Sequence, residues 1–224
     1  MTPSETIRAR LAAAGVPFRA NDSIAAHLEP GEAEALLAEV TEKAGALLDA
    51  LVIDRTADHN TADTARRMAK LYLREVFRGR YEPAPALTDF PNAAGVDQPY
   101  VVGPISIRST CSHHFAPILG RAWVGVVPGE RVIGLSKFNR IADWVFSRPQ
   151  IQEEAVVQLA DALEEAVRPR GLGIVVRARH QCCSWRGVRD ETAMVSTEMR
   201  GVFRTDPSAR AELMALIGQG VTCS

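Results

Sequence analysis

The sequence predicts an α+β domain built on a largely antiparallel sheet, preceded by a helical stretch. Two observations carry this expectation. Apolar residues recur at helical spacing before residue 80, and the period switches to two near residue 105. From 105 to 204 the segments then read strand, hairpin, helix, helix, strand, strand, which is the order of an α+β domain.

The elements follow in chain order. Residues 1–30 are mixed and weakly patterned, and read as a flexible arm. In "GEAEALLAEVTEKAGALLDALVI", Leu36, Val40, Ala44, Leu47 and Leu51 form a helical stripe. "DHNTADTARRMAKLYLREVFRGRY" repeats the pattern with Ala65, Met68, Ala69, Tyr72 and Val76; Asn60 or Thr61 can cap its start and Gly79 can stop it. The proline-rich 82–104 reads as a connector. "ISIRSTC" alternates, placing Ile105, Ile107, Ser109 and Cys111 on one face. "RAWVGVV", a "PGE" turn and "RVIGL" read as a hairpin. "SKFNRIADWVF" is a helix with Phe138, Ile141, Trp144 and Val145 inward and Ser136 as N-cap. A longer helix opens after Pro149, turns Ile151, Ala155, Leu159, Leu163 and Val167 inward, and ends at Pro169-Arg170-Gly171. "LGIVVRARHQC" and "AMVSTEMRGVFR" are strands, and "DPSARAELMALI" is a closing helix. The expected division is an arm and helical extension over 1–100 and a catalytic domain over 101–224.

Hydrophobic content of 46% and charged content of 24% are ordinary for a soluble globular chain, and a net charge of −1 argues against a general nucleic-acid grip. No apolar run approaches the ~20 residues of a membrane span, and no signal peptide is visible, so a cytoplasmic protein is expected. Cys182 and Cys183 are adjacent, which suits a disulfide framework poorly. In a reducing compartment the cysteines read as ligands, nucleophiles or core.

"TCSHHFAPILG" places Cys111, His113 and His114 within four residues, although the chain has only five histidines. Thiolate and imidazole together are a zinc-binding set. Alternation in "GIVVRARHQC" puts His180 and Cys182 on one strand face, with Cys183 turned to the opposite face as core. Cys111, His114 and Cys182 then make a three-ligand set whose fourth position stays open, the mark of a catalytic rather than a structural zinc. His113 and His180 are left as proton carriers. A four-ligand structural site using His113 or His180 is the alternative, and a redox or nucleophilic cysteine a further one.

In "GLSKFNR", Ser136, Lys137 and Arg140 stand at a helix start, where backbone N–H groups favour anions. Arg186, four residues after Cys182, can join them, and Arg67 more distantly; a solvated basic face is the bland alternative. Gln152 and Glu153 lie off the apolar stripe of their helix. A carboxylate there can accept both N–H groups of a guanine edge, or simply suit the helix dipole.

Taken in order, "CSHHFAP", "GLSKFNRI", "RPQIQEE", "HQCCSWRG" and "MRGVFR" resemble the type I GTP cyclohydrolase family over about residues 60–217. The resemblance implies a T-fold, an antiparallel sheet backed by two long helices with an N-terminal helical extension. It implies Zn2+ held by Cys111, His114 and Cys182, acid–base work by His113 and His180, and assistance by Ser136. It implies guanine recognition by Gln152 and Glu153, and triphosphate and ribose contacts by Lys137, Arg140, Arg186 and Arg67. The implied substrate is GTP, opened hydrolytically, with loss of formate, to 7,8-dihydroneopterin triphosphate for pterin- or folate-type biosynthesis. The implied assembly is a homodecamer with sites between subunits.

The sequence departs from the family at Ser112, where a glutamate is usual, and at Thr64-Ala65, where Thr-Pro is usual. Cys183 and Trp185 are also unusual after the last ligand. A divergent zinc hydrolase on a related purine nucleotide, including a deaminase, and a non-catalytic nucleotide-binding T-fold are the competing readings. No H-x-E…P-C-x-x-C pattern supports a deaminase.

Overall fold

The computed structural model describes residues 1–221, with side chains described to residue 218. It divides into two compact units, Met1–Pro83 and Ala84–Ser224. The sequence places the division at 100/101 instead. The proline-rich stretch belongs to the second unit because it carries strand β1, Asp89–Pro91, which pairs inside that unit.

The first unit is helical. Its opening residues are not a loose arm. Helix α1, Pro3–Ala13, starts with a capping box in which the Thr2 hydroxyl accepts from the Glu5 N–H while the Glu5 carboxylate accepts from the Thr2 N–H at 2.7 Å. Ile7 and Leu11 are buried with Ile24, Leu36 and Leu73. Two apolar anchors in eleven residues make a stripe too narrow to read as periodic.

Helix α2, Glu32–Ala50, buries Leu36, Ala44 and Leu48 but leaves Leu47 and Leu51 exposed, so its inner face is turned from the predicted one. Helix α3, Thr64–Lys70, follows Asp63 rather than Asn60 or Thr61. It runs into a π-helical turn over Leu71–Val76 and then α4, Arg78–Tyr81, which contains the buried Gly79 instead of stopping at it.

The second unit is α+β, as expected. Strands β2 (Tyr100–Cys111), β3 (Pro117–Val127), β4 (Arg131–Ile133), β5 (Pro149–Gln150), β6 (Gly171–His180) and β7 (Ala193–Gly201) alternate with helices. These helices are α5 (Leu135–Phe146), α6 (Gln152–Val167), α7 (Gln181–Ser184), α8 (Val202–Thr205) and α9 (Pro207–Val221). The main sheet has the order β5-β2-β3-β6-β7, antiparallel except for the short parallel pair β2–β5.

The predicted hairpin between "RAWVGVV" and "RVIGL" does not form. β4 pairs with β1, because both long edges of β3 are already taken by β2 and β6. Helix α5 is preceded by Gly134 as its cap, with no side-chain cap from Ser136.

One sheet face, with Ile105, Ile107, Val124, Ile174 and Val176, packs against Phe138, Ile141 and Val145 of α5 and Leu159 and Leu163 of α6. Burying each such side chain is worth about 1.5–3 kcal/mol. On the other face, Leu213 of α9 lies over β3 and β6. A Cβ on Gly125 or Gly173 would come within 2.1 and 2.3 Å of its methyl carbons, so glycine is what lets the helix settle there. Arg200 of β7 ties that strand to α6 through Asp161 and Glu164, both at 2.7 Å, which raises the guanidinium pKa further against the cost of its burial. The sheet ends β2, β5 and β6 therefore stand on a rigid two-faced core, and the chemistry-bearing residues follow directly from those ends.

Candidate metal centre and active site

Cys111 is the last residue of β2 and is buried. The chain turns sharply after it: the Phe115 N–H donates to the Cys111 carbonyl at 2.9 Å, and the Cys111 N–H donates to Ala116 O at 2.8 Å. Phe115 takes φ +52° to close this turn. The Ser112 N–H donates to the carbonyl of Gln150 on the neighbouring β5 at 3.1 Å, fixing the turn to the sheet. His113 and His114 are thereby carried, exposed, on a short rigid loop, their rings edge to face at 6.3 Å.

Cys182 arrives differently from the sequence expectation. β6 ends at His180, and Gln181–Ser184 is a single helical turn, so Cys182 is not the next same-face residue of a strand. The three candidate ligand side chains nevertheless converge. Ligand atoms of Cys111, His114 and Cys182 lie within 4.8 Å of one another. A tetrahedral zinc holds its ligands at about 2.0–2.3 Å, and so about 3.5 Å apart, so a small contraction would close these three around an ion.

The electrostatics fit a cation. Burial, with the neighbouring Cys111 and Cys183 sulfurs adding to it, pushes the Cys182 thiol up to about 12. Crowded thiols of this kind lose their protons to solvent readily only when a metal binds, because its charge offsets that of the thiolates. The Arg186 guanidinium donates to His114 Nε2 at 2.8 Å. Arginine has no acceptor, so this bond occupies the Nε2 lone pair, and Arg186 has to move aside for that nitrogen to ligate an ion. Cys183 is exposed, not core.

The two expected proton carriers, His113 and His180, flank the candidate ligands in sequence. His113 Nδ1 stands 3.7 Å from the Cys111 sulfur. His180, at the end of β6, is half-buried. Burial lowers its pKa from 6.5, and the charge of Glu153 partly offsets this, so the carboxylate lies within electrostatic reach of the ring. Glu153 itself is exposed at the start of α6.

Gln152 differs from expectation. Only 2% of it is exposed, and its amide nitrogen donates to Val176 O, Met194 O and Ser196 Oγ at 3.1–3.3 Å while its oxygen meets His180 Nε2 at 2.9 Å. Its carboxamide is spent inside the protein. The spacing of Gln152, Val156, Leu159 and Leu163 is itself an inward helical stripe, and that signal could have placed the residue correctly.

Ser136, Lys137 and Arg140 stand in the first turns of α5, Ser136 and Arg140 exposed, and the Lys137 ammonium donates to Ala86 O at 3.2 Å. Arg67 belongs to the helical unit, where it is exposed and paired with Asp63 at 3.5 Å.

The chain resembles known proteins over most of its length. The family model for GTP cyclohydrolase I matches residues 40–218. The chain is 41% identical over 172 residues to the GTP cyclohydrolase 1 of Aeromonas hydrophila, covering 76% of this chain and 78% of that protein. It is 40% identical over 171 residues to that of Shewanella amazonensis, covering 75% and 79%. It is 36% identical over 188 residues to that of Yersinia enterocolitica, covering 83% and 85%. A solved structure of the archaeosine synthase QueF-Like, in the apo form, matches 52% of this chain and 96% of its own at 17% identity, with a TM-score of 0.34.

Proposed function

The chain belongs to the GTP cyclohydrolase I family, and from that premise we propose that it hydrolyses the guanine imidazole ring of GTP, releases C8 as formate and forms 7,8-dihydroneopterin triphosphate. The observation that carries this reading is the convergence of Cys111, His114 and Cys182, from two separate strand ends, with their ligand atoms inside 4.8 Å.

These three residues would hold a zinc ion, which when bound supplies Lewis-acid activation at neutral pH. The remaining work belongs to the chain's own side chains. His180, kept largely neutral by burial, accepts and returns protons at the purine as the C8–N bonds are hydrolysed. His113, beside the Cys111 sulfur, serves the second exchange. Each hydrolytic step consumes one water: the first opens the ring and the second frees formate. The ribose then isomerises, and ring closure returns one water.

Glu153, exposed at the N-terminus of α6, accepts from the guanine N1–H and exocyclic amine, which adenine cannot reproduce. Ser136, Lys137 and Arg140 at the start of α5, with Arg186, hold the triphosphate and the ribose oxygens. A triphosphate is a fixed handle that keeps one substrate in place through several chemical steps.

The family's homo-oligomeric assembly, a decamer, is part of the same reading. It is supported by β7, which is an edge strand with no strand on its outer side among the described residues and can accept one from a second copy. Light scattering should return about ten times the 24.3 kDa chain mass. No helix among the described residues is long and apolar enough to cross a membrane; the proposed place of action is the cytoplasm.

The deciding experiment is incubation with GTP followed by separate assays for formate and ammonia. Formate together with a pterin that becomes fluorescent on oxidation is the expected result. Ammonia without formate would make the protein a deaminase, and GTP binding without either product would make it a binding protein.

A further inference from the structure

Gln152 makes four polar contacts, and their chemistry leaves one solution for the nitrogen it faces. Val176 O and Met194 O, at 3.2 and 3.3 Å, are backbone carbonyls and can only accept. The group facing them must therefore be the amide NH2, and flipping the carboxamide would set its oxygen against two other oxygens. Ser196 Oγ at 3.1 Å takes a further share of the same two hydrogens. The carboxamide oxygen is thereby turned onto His180 Nε2 at 2.9 Å. An amide oxygen is only an acceptor, so His180 Nε2 must carry the hydrogen. With Gln152 2% exposed, water does not compete for these bonds.

We propose that Gln152 is a positioning residue that locks His180 as the Nε2–H tautomer, so that the proton this histidine exchanges during the reaction travels through Nδ1. The inference rests on the reading of His180 as an acid–base group. It removes Gln152 from guanine recognition and leaves that task to Glu153. The anchoring atoms come from β6 and β7, so the sheet itself sets the tautomer: Val176 lies on the strand that ends at His180, and Met194 and Ser196 on its neighbour.

The direct test is 15N NMR of zinc-loaded wild-type protein labelled at histidine, with the His180 signals identified by their loss in His180→Ala. The expected spectrum has Nε2 as the protonated nitrogen and Nδ1 as the unprotonated one. The opposite assignment overturns the proposal, and this measurement needs no Gln152 variant to fold.

The kinetic test compares Gln152→Met with Gln152→Glu. Gln152→Met should lower kcat by about a hundredfold, the scale of an acid–base contribution, with KM for GTP changed less than threefold. Gln152→Glu restores an acceptor opposite Nε2 but turns its second oxygen onto Val176 O and Met194 O, so it should recover part of the loss in kcat only as pH falls and that oxygen takes a proton it can donate. A rise in KM at unchanged kcat would instead return Gln152 to the substrate. The parent reading fails separately: if His180→Ala turned over GTP at the wild-type rate, His180 would have no acid–base duty, whatever its tautomer.

Discussion

At the scale of single residues, the proposed site is a division of labour among neighbours. Cys111 and Cys182 are held by backbone, one at a strand end closed by a tight turn and one in the helical turn after β6. His180 sits two residues from a ligand yet has its own hydrogen-bond partner. Removing a ligand and removing a proton carrier should therefore separate. Cys182→Ala is expected to lose both bound zinc and formate release, because two donors cannot hold the ion against water. His180→Ala is expected to keep one zinc per chain and lose turnover by about 10²–10⁴-fold. Metal analysis beside a formate assay checks both, and wild-type turnover in either variant contradicts the assignment. Glu153 offers a third test. A charge-assisted hydrogen bond is worth about 1.5–3 kcal/mol, so Glu153→Ala should cut the preference for GTP over ATP binding by roughly tenfold to a hundredfold. Unchanged discrimination by calorimetry would take guanine recognition away from this residue.

At the scale of elements, the structure explains which parts of the sequence could be read and which could not. α5 and α6 follow a period of about 3.6 and lie where it predicts, whereas β2 begins at Tyr100 inside the expected connector, β6 stops at His180 before Cys182, and β7 stops at Gly201, with Val202–Thr205 turning helical. The failures have physical causes. β4 is three residues long, and its partner is decided by which edges of β3 remain, not by the turn that precedes it. Cys182 lies past the point where β6 ends, and alternation cannot signal that a strand has become a helical turn. Helix α1 was hidden because polar contacts complement its narrow apolar face. Arg10 donates to both carboxylate oxygens of Glu32, at 2.8 and 2.6 Å, and to His27 O at 2.8 Å.

That arrangement makes the docking of α1 depend on pH. The Arg10 hydrogen bonds, followed by the Glu29 N–H, hold the Glu32 carboxyl below its ordinary value of 4.5. A carboxyl lowered in the folded state contributes stability that is present above 4.5 and is lost as pH falls through the lower folded value. Glu32→Gln should therefore speed amide hydrogen exchange across Pro3–Ala13 at neutral pH. The gap between variant and wild type should close as pH drops below the carboxylate range. A gap independent of pH would mean that the ion pair does not anchor the helix.

At the scale of the whole molecule, the Cys111–His114–Cys182 cluster was legible because it is made of short motifs of uncommon residues. What the sequence could not supply was the sheet register that brings residue 111 to residue 182. Nor could it reveal the inward turn of Gln152, which follows from α6 facing β6 and β7. The site is built where strand ends, a tight turn and a helix start meet on one rigid sheet. Its chemistry follows from that meeting and not from any single motif. The measurement that tests this most directly is a zinc titration of chelator-stripped protein, following formate release from GTP. Turnover should be absent without metal and rise linearly to a plateau at one zinc per chain, with Cys111→Ala showing neither binding nor recovery. Formate release from the stripped protein, or an unaltered titration in Cys111→Ala, would contradict it.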